Sequence, residues 1–273
     1  RKKTINVPKR RYNDKKLIVH VCNWTGYGGS ETACINIAQE LRDYEHCFIT
    51  GSVGPRFSDF NSIGNVITLN DIAPNAFDYV EIEETLYNLK PDIIHVYQPG
   101  ERNPYWMYNR HLQNIPKILT ILCTQKCLIQ QSVFRHIIVP SRYAARLNDH
   151  LQTTVIRYGI DPITEYRTDK KFETKRKFGY RQDDIIVSRI GAITPEKRAI
   201  DNILLAKIFP EYQFVIGGIT PHQQYFDYVW NEAQHLDNVR FMLNLSVKDR
   251  EDLLNISDVY AYPTDAEAFA ISI

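Results

Sequence analysis

The sequence predicts an α/β protein built on parallel sheets, and three observations carry that expectation. Short apolar runs rich in β-branched residues, such as KLIVHVC (16–22) and DIIHVY (92–97), recur along the chain. Between them lie stretches with apolar residues at helical spacing, the first being Cys34, Ile37, Ala38 and Leu41. The strand runs are also apolar throughout rather than alternating, as strands covered on both faces are.

Taken in order, KLIVHVC leads through a glycine loop, NWTGYGGSE (23–31), into the first helix. HCFIT and NVITL read as the next strands. Tyr79, Ile82, Leu86 and Leu89 mark a second amphipathic helix, closed by Pro91 before DIIHVY. KILTIL, HIIVP and TTVIRYGID continue the strands, and Ser141 is placed to cap a helix through Leu151. A polar, Lys-rich stretch at 164–177 then interrupts the rhythm and reads as a linker. Beyond it come DIIVSRIGAI, a helix through Ile200–Ile208 and YQFVIGG. Phe226, Val229, Trp230 and Ala233 share one helix face, followed by NVRFM, a charged helix and SDVYAY, read as a buried strand. The expected division is a basic tail (1–15), a first domain (16–163), the linker and a second domain (178–273) with four strand runs, incomplete at its end.

Bulk properties narrow the function. With 273 residues, 44% hydrophobic and 24% charged, the chain has ample material for two cores. A net charge of +1 gives no global case for nucleic acid binding. The first sixteen residues nevertheless hold eight Lys or Arg against one Asp. They read either as a solvated tail or as a patch for anionic lipid headgroups or a polyanionic acceptor. No apolar run approaches the roughly 18–20 residues needed to cross a bilayer. The five cysteines are odd in number and lie mostly in apolar runs, as reduced cytosolic thiols do. Cys123 and Cys127 are too widely spaced for a CxxC pair and have no His cluster beside them. The expected location is cytoplasmic, with peripheral membrane contact through the basic tail.

In open parallel sheets ligands bind at the carboxyl ends of strands, beside helix N-termini. Three loops qualify. In NWTGYGGSE, Gly28 and Gly29 would let a phosphate approach backbone N–H groups. Glu31 stands where a GxGxxG fingerprint needs glycine and no acid closes the second strand, so a nicotinamide cofactor is not expected. Glu31 would also suit the helix dipole as a plain structural acid. In GAITPEKRAIDN (191–202), Lys197 stands at the expected start of a helix with Arg198 and Arg189 nearby. A cation opposes the dipole there, which suits a diphosphate ligand, although a surface lysine is the plainer reading. In the last loop Glu267 follows SDVYAYP, placed either to accept helix N–H bonds or to grip a sugar hydroxyl. Tyr97 ends a strand, while Tyr105, Trp106 and Tyr108 could stack on an acceptor sugar or pack in the core.

The ordered set GGSETACINIAQEL, KPDIIHVYQP, HIIVPSRYAARL, VIRYGID, TPEKR, FVIGG and SDVYAYPTDAEAFAISI resembles GT-B glycosyltransferases, most closely glycosyltransferase family 4. The resemblance runs from Lys16 to Ile273. It implies two Rossmann-like domains facing a cleft, the second holding a nucleotide-diphosphate sugar, with hexose transfer to a glycan, lipid-linked or protein acceptor and retention of configuration. By this resemblance Lys197 neutralises the donor diphosphate and Glu267, first acid of a Glu-x7-Glu motif, binds the donor sugar's hydroxyls. Phe269, Ala270 and Arg198 lie on the donor side with Gly28 and Gly29, and Tyr97, Tyr105 and Trp106 on the acceptor side. The motif's second acid would fall at position 275, so a C-terminally truncated donor domain is expected. The chain has no Asp-x-Asp, which fits a metal-independent enzyme without a cofactor. It departs from the family at Ala192, where an arginine is common, at Leu122 and Tyr97, where histidine is, and at Ala270, where glycine is usual. These departures leave two alternatives: a non-catalytic relative that binds sugar nucleotide or a partner protein, and a sugar-nucleotide epimerase.

Overall fold

A computed structural model describes residues 15–69, 79–98, 105–122, 126–159 and 170–269. The chain divides into two compact units, Arg1–Gly159 and Ile160–Ile273. No helix among the described residues is long and apolar enough to cross a membrane.

The first unit is one parallel sheet of seven strands. They are β1 (Leu17–Trp24), β2 (Glu45–Ser52), β3 (Asn65–Thr68), β4 (Ile93–Gln98), β5 (Lys117–Ile121), β6 (His136–Val139) and β7 (Thr153–Val155). Their spatial order is β3-β2-β1-β4-β5-β6-β7, so the chain runs outward from β1 in both directions. Among the described residues its α-helices are α1 (Gly29–Glu40), α2 (Phe57–Ile63), α3 (Tyr79–Leu89) and α4 (Arg142–Leu147). One face of the sheet joins Val19, Val21, Ile94, Val96 and Leu119 to Ile82, Leu86 and Leu89 of α3. The other gathers Cys22, Phe48 and Tyr97 under Cys34, Ile35 and Ala38 of α1, with Phe60 of α2. Coverage on both faces is why the strands read as continuous apolar runs.

Several local expectations change. The buried face of α1 includes Ile35 and leaves Ile37 only partly covered, and Leu41 is the C-cap rather than a core residue. Helix α2 fills a stretch in which no helix is expected; at seven residues it is too short to show a clear period. Ser141 does cap α4, its hydroxyl accepting from the Ala144 amide at 3.1 Å, but the helix stops at Leu147. The reason is Asn148, fully buried, whose amide donates to Ala144 O and whose oxygen accepts from the Cys127 amide. Its side-chain amide takes the Ala144 carbonyl that its own backbone N–H would bond in a continuing helix. The β strand expected across TTVIRYGID is confined to Thr153–Val155.

The second unit holds β8 (Ile186–Ile190), β9 (Gln213–Gly218), β10 (Val239–Leu243) and β11 (Val259–Tyr260), all parallel, in the order β10-β9-β8-β11. Its helices are α5 (Lys171–Lys177), α6 (Ala199–Ile208), α7 (Gln223–Ala233) and α8 (Val247–Ile256). Part of the stretch expected as linker is therefore helix α5, tied to this unit. Lys175, buried, donates to Asp184 O at 2.6 Å and pairs with Asp258 at 3.1 Å, and Lys171 meets the same carboxylate at 2.7 Å. Such pairing explains why a Lys-rich run need not be solvated chain. On α7, Val229 and Ala233 are buried, while Trp230 is half exposed, resting on Phe241 with ring centroids 5.3 Å apart. Strand β11, expected to be buried, pairs with β8 at the margin of the described sheet, which leaves Val259 exposed. The expected truncation turns on residues that lie outside the described ones.

Candidate functional site

In the second unit the chain leaves β8, proceeds outward through β9 and β10, then returns to the opposite side of β8 as β11. The order therefore reverses between β8 and β11, and a crevice opens at such a switch point beyond the carboxyl ends of the two strands. The loops that leave these two ends carry Lys197 and Glu267.

After β8, a 3-10 turn covers Pro195–Lys197, and Arg198 takes a left-handed conformation (φ 48°) before α6 begins at Ala199. Lys197 thus precedes the helix rather than starting it. Its ammonium turns to the neighbouring loop, donating to Ala266 O at 2.8 Å and to Glu267 Oε2 at 2.6 Å. The other carboxylate oxygen, Oε1, accepts from the Ala268 amide at 3.0 Å. Further bonds lace the loops together. The Asp265 amide donates to Glu196 O at 3.0 Å, the Thr264 hydroxyl to the same carbonyl at 3.2 Å, and the Asn202 side chain to Ala261 O at 3.0 Å. Both charged groups are partly buried, so their attraction is less screened than that of a surface pair.

Tyr262 underlies the pair. Its hydroxyl lies 3.5 Å from Glu267 Oε2, and burial, then the Glu267 charge, pushes its pKa upward. The ring packs so closely on Gly191 that an added Cβ would stand 2.7 Å from the hydroxyl oxygen. On the ring sits the guanidinium of Arg189, 5.2 Å from its centroid and wholly buried. Arg189 Nη2 donates to Ala192 O and Lys197 O, each at 3.4 Å. Sequence reading noticed Arg189 only as a neighbour and missed Tyr262. Its signal was the Tyr260/Tyr262 alternation at the end of a strand.

The other expected residues fare variously. Arg198 is exposed, and its guanidinium goes to Asp201 at 2.7 Å and Asp265 at 3.2 Å. Phe269 is partly buried, while Ala270 lies outside the described residues. In the first unit Gly28 is the N-cap of α1 and Gly29 its first residue. The carboxylate of Glu31 folds back over Gly28, where an added Cβ would lie 2.1 Å from Oε2, and it accepts from the Ser30 hydroxyl at 2.7 Å. The backbone approach expected at Gly28 is therefore filled by this chain's own acid. Burial raises the pKa of Glu31, against the bond from Ser30 and the charge of Arg56.

Tyr97, expected on the acceptor side, is instead a core residue at 2% exposure. Strand alternation turns it under α1 with His95, and its hydroxyl is shared by His20 Nδ1 at 3.3 Å and His95 Nδ1 at 3.2 Å. Tyr105 and Trp106 open a 3-10 turn, Tyr105–Tyr108, and their side chains lie outside the description; Tyr108 is exposed. Leu122 packs partly buried against the cluster of Cys22, Phe48 and Tyr97.

Solved structures share this fold. The chain is similar to the Anabaena protein Alr3699/HepE in complex with UDP and glucose, with a TM-score of 0.75 at 16% identity over 93% of this chain and 76% of that one. It is also similar to sucrose-phosphate synthase from Thermosynechococcus elongatus, with a TM-score of 0.69 at 15% identity over 94% and 77%. A glycosyltransferase from Rickettsia africae gives a TM-score of 0.66 at 16% identity over 92% and 74%. At such identities the likeness speaks for the fold, GT-B, and not for the reaction. A search of curated proteins by sequence finds no match. Residues 170–273, the segment that holds β8, β11, Lys197 and Glu267, match the family model for glycosyl transferases group 1.

Proposed function

We propose that the chain is a glycosyltransferase that moves a hexose from a nucleotide-diphosphate sugar to a glycan, lipid-linked or protein acceptor, with retention and without a metal. The observation that carries this reading is the meeting of Lys197 and Glu267 at the switch point of a unit that matches glycosyl transferases group 1. As the sugar–phosphate bond breaks, negative charge gathers on the departing diphosphate, and a fixed ammonium stabilises it more than it stabilises the intact donor. Without donor, that ammonium is held by Glu267. A diphosphate would compete for Lys197, releasing the carboxylate to accept from sugar hydroxyls. One exchange of partners would so prepare both halves of the site. On this reading the protein works in the cytoplasm, its basic tail against an anionic surface.

The test is a panel of UDP-, ADP- and GDP-sugars with release of nucleoside diphosphate as readout. Turnover of one donor is expected, falling about 100-fold or more in Lys197→Ala, the usual scale for losing one transition-state donor. Neither turnover nor binding across the panel would overturn the reading. One observation favours a non-catalytic binder instead: Leu122 lies in an apolar cluster and Ala192 carries no charge, so neither can move a proton or hold a phosphate. Donor binding without turnover, unchanged in Ala192→Arg with Leu122→His, would select that reading. An isomerised free sugar nucleotide would select the epimerase.

A further inference from the structure

Arg189 is the largest wholly buried side chain among the described residues, and it is poorly compensated. No ion pair among the described residues includes it. Two of its groups, Nε and Nη1, are buried with no hydrogen-bond partner, and the two bonds made by Nη2 are long. Burial pushes its pKa down, and the groups opposing that shift are the phenols of Tyr262, Tyr260 and Tyr225. An uncompensated guanidinium in a core is expensive, and a strand residue of ordinary structural purpose would be apolar. Two more polar atoms nearby in sequence, Thr194 Oγ1 and Asn202 Oδ1, are likewise buried without partners. The loop that carries Lys197 is thus underlain by polar groups whose hydrogen-bonding capacity is not used within the chain.

What Arg189 touches gives the reason. Its Nη2 reaches the carbonyl of Lys197 itself, and its flat face lies on Tyr262, whose hydroxyl reaches Glu267. One side chain therefore supports both loops of the site from below. We propose that Arg189 is the positioning residue of this site: it fixes the Lys197 backbone relative to the Tyr262 ring, and its unneutralised charge biases the crevice towards a diphosphate. This rests on the donor-site reading given above. Arg189 acts through Lys197, Tyr262 and the local field, and need not touch the ligand.

The experiment compares a charged probe with an uncharged one. UDP, ADP and GDP are titrated calorimetrically into the full chain, and the best binder is paired with its own nucleoside. In Arg189→Met the affinity for the diphosphate is expected to fall at least tenfold, while that for the nucleoside stays within about twofold. Arg189→Lys, which keeps the charge, should recover most of the loss. Should the Met variant not fold, Arg189→Gln, which keeps a donor for the two carbonyls but no charge, gives the same readout. If both affinities fall together, or the diphosphate affinity is unchanged, Arg189 is only structural and the proposal is overturned. If the wild-type chain binds none of the three diphosphates, it is the donor-site reading itself that fails.

Discussion

Lys197 Nζ lies 2.6 Å from Glu267 Oε2 across seventy residues of chain, because β8 and β11 are parallel neighbours and release their loops side by side. With side-chain exposures of 18% and 26%, the pair sits between the surface regime and the buried one. A double-mutant cycle with Lys197→Met and Glu267→Gln should give a coupling of about 1 kcal/mol in urea unfolding. Additive single effects, within about 0.3 kcal/mol, would show that the pair does not form in solution.

Glu267 has two incompatible duties in the proposed reaction, holding Lys197 before the donor arrives and holding the sugar afterwards. Glu267→Gln removes the competitor for the ammonium, so UDP alone should bind a few-fold more tightly. The same change weakens the acceptor offered to sugar hydroxyls, so the affinity of a UDP-sugar relative to UDP should fall. Calorimetry with both ligands checks this, and equal losses for the two would contradict the exchange of partners.

Much of this is legible in the sequence. Strand runs covered on both faces declare themselves through composition, and the strand-end rule singled out Lys197 and Glu267. What the sequence hid was direction. Tyr97 ends a strand as a site residue should, yet alternation points it into the α1 face, where His95 of its own strand and His20 of the neighbouring β1 satisfy its hydroxyl. Arg189 hid for the opposite reason, since a charged residue inside a strand reads as solvent-facing unless one sees Tyr262 beneath it. The Lys-rich stretch became helix α5 because Asp258, over eighty residues away, neutralises two of its lysines.

Two glycines of the second unit have positive φ and should answer differently to alanine. Gly179 (φ 81°) has open space around an added Cβ, so Gly179→Ala should cost about 1 kcal/mol, the strain of the left-handed backbone alone. Gly218 (φ 149°) faces Gly191 O, and an added Cβ would stand 1.9 Å from that oxygen. Because backbone must move there, and with it the loop under Lys197, Gly218→Ala should cost about 3 kcal/mol or more. Equal shifts in unfolding midpoint for the two variants would contradict this.

A chain of hydrogen bonds crosses four strands beneath α1. His46 Nε2 lies 3.0 Å from Leu41 O, His46 Nδ1 3.0 Å from His20 Nε2, and Tyr97 joins His20 to His95, which reaches Thr120 at 2.7 Å. A carbonyl can only accept, so with neutral rings every proton is fixed in turn. His46 donates to Leu41, His20 to His46, Tyr97 to His20, His95 to Tyr97, and Thr120 to His95. Tyr97→Phe strips a donor from one buried imidazole and an acceptor from another. The expected cost is about 2–4 kcal/mol in chemical denaturation, since each orphaned group forfeits about 1–3 kcal/mol. A loss below about 1 kcal/mol would mean that the chain is not formed.

The same chain sets a pH dependence. Burial lowers the pKa of His20, with the charges of His95 and His46 adding to it; burial lowers His46 and takes His95 down to about 3. None of the three can take a second ring proton without breaking a bond in the series. The unfolded chain binds those protons below its ordinary value of about 6.5. Below that pH the unfolded state therefore holds more protons than the native one, so stability rises with pH. The contribution is complete above about pH 6.5 and is lost as pH falls from there towards the depressed native values. Once titration in the unfolded state is complete, the loss approaches about 1.4 kcal/mol per pH unit for each histidine. Urea unfolding at pH 7, 6 and 5 should show the decline before most carboxylates titrate. Tyr97→Phe should steepen none of it and lower the whole curve. A stability that stays level from pH 7 to pH 5 would mean that the imidazoles are open to protons in the folded state, and that the fixed series of donors does not exist.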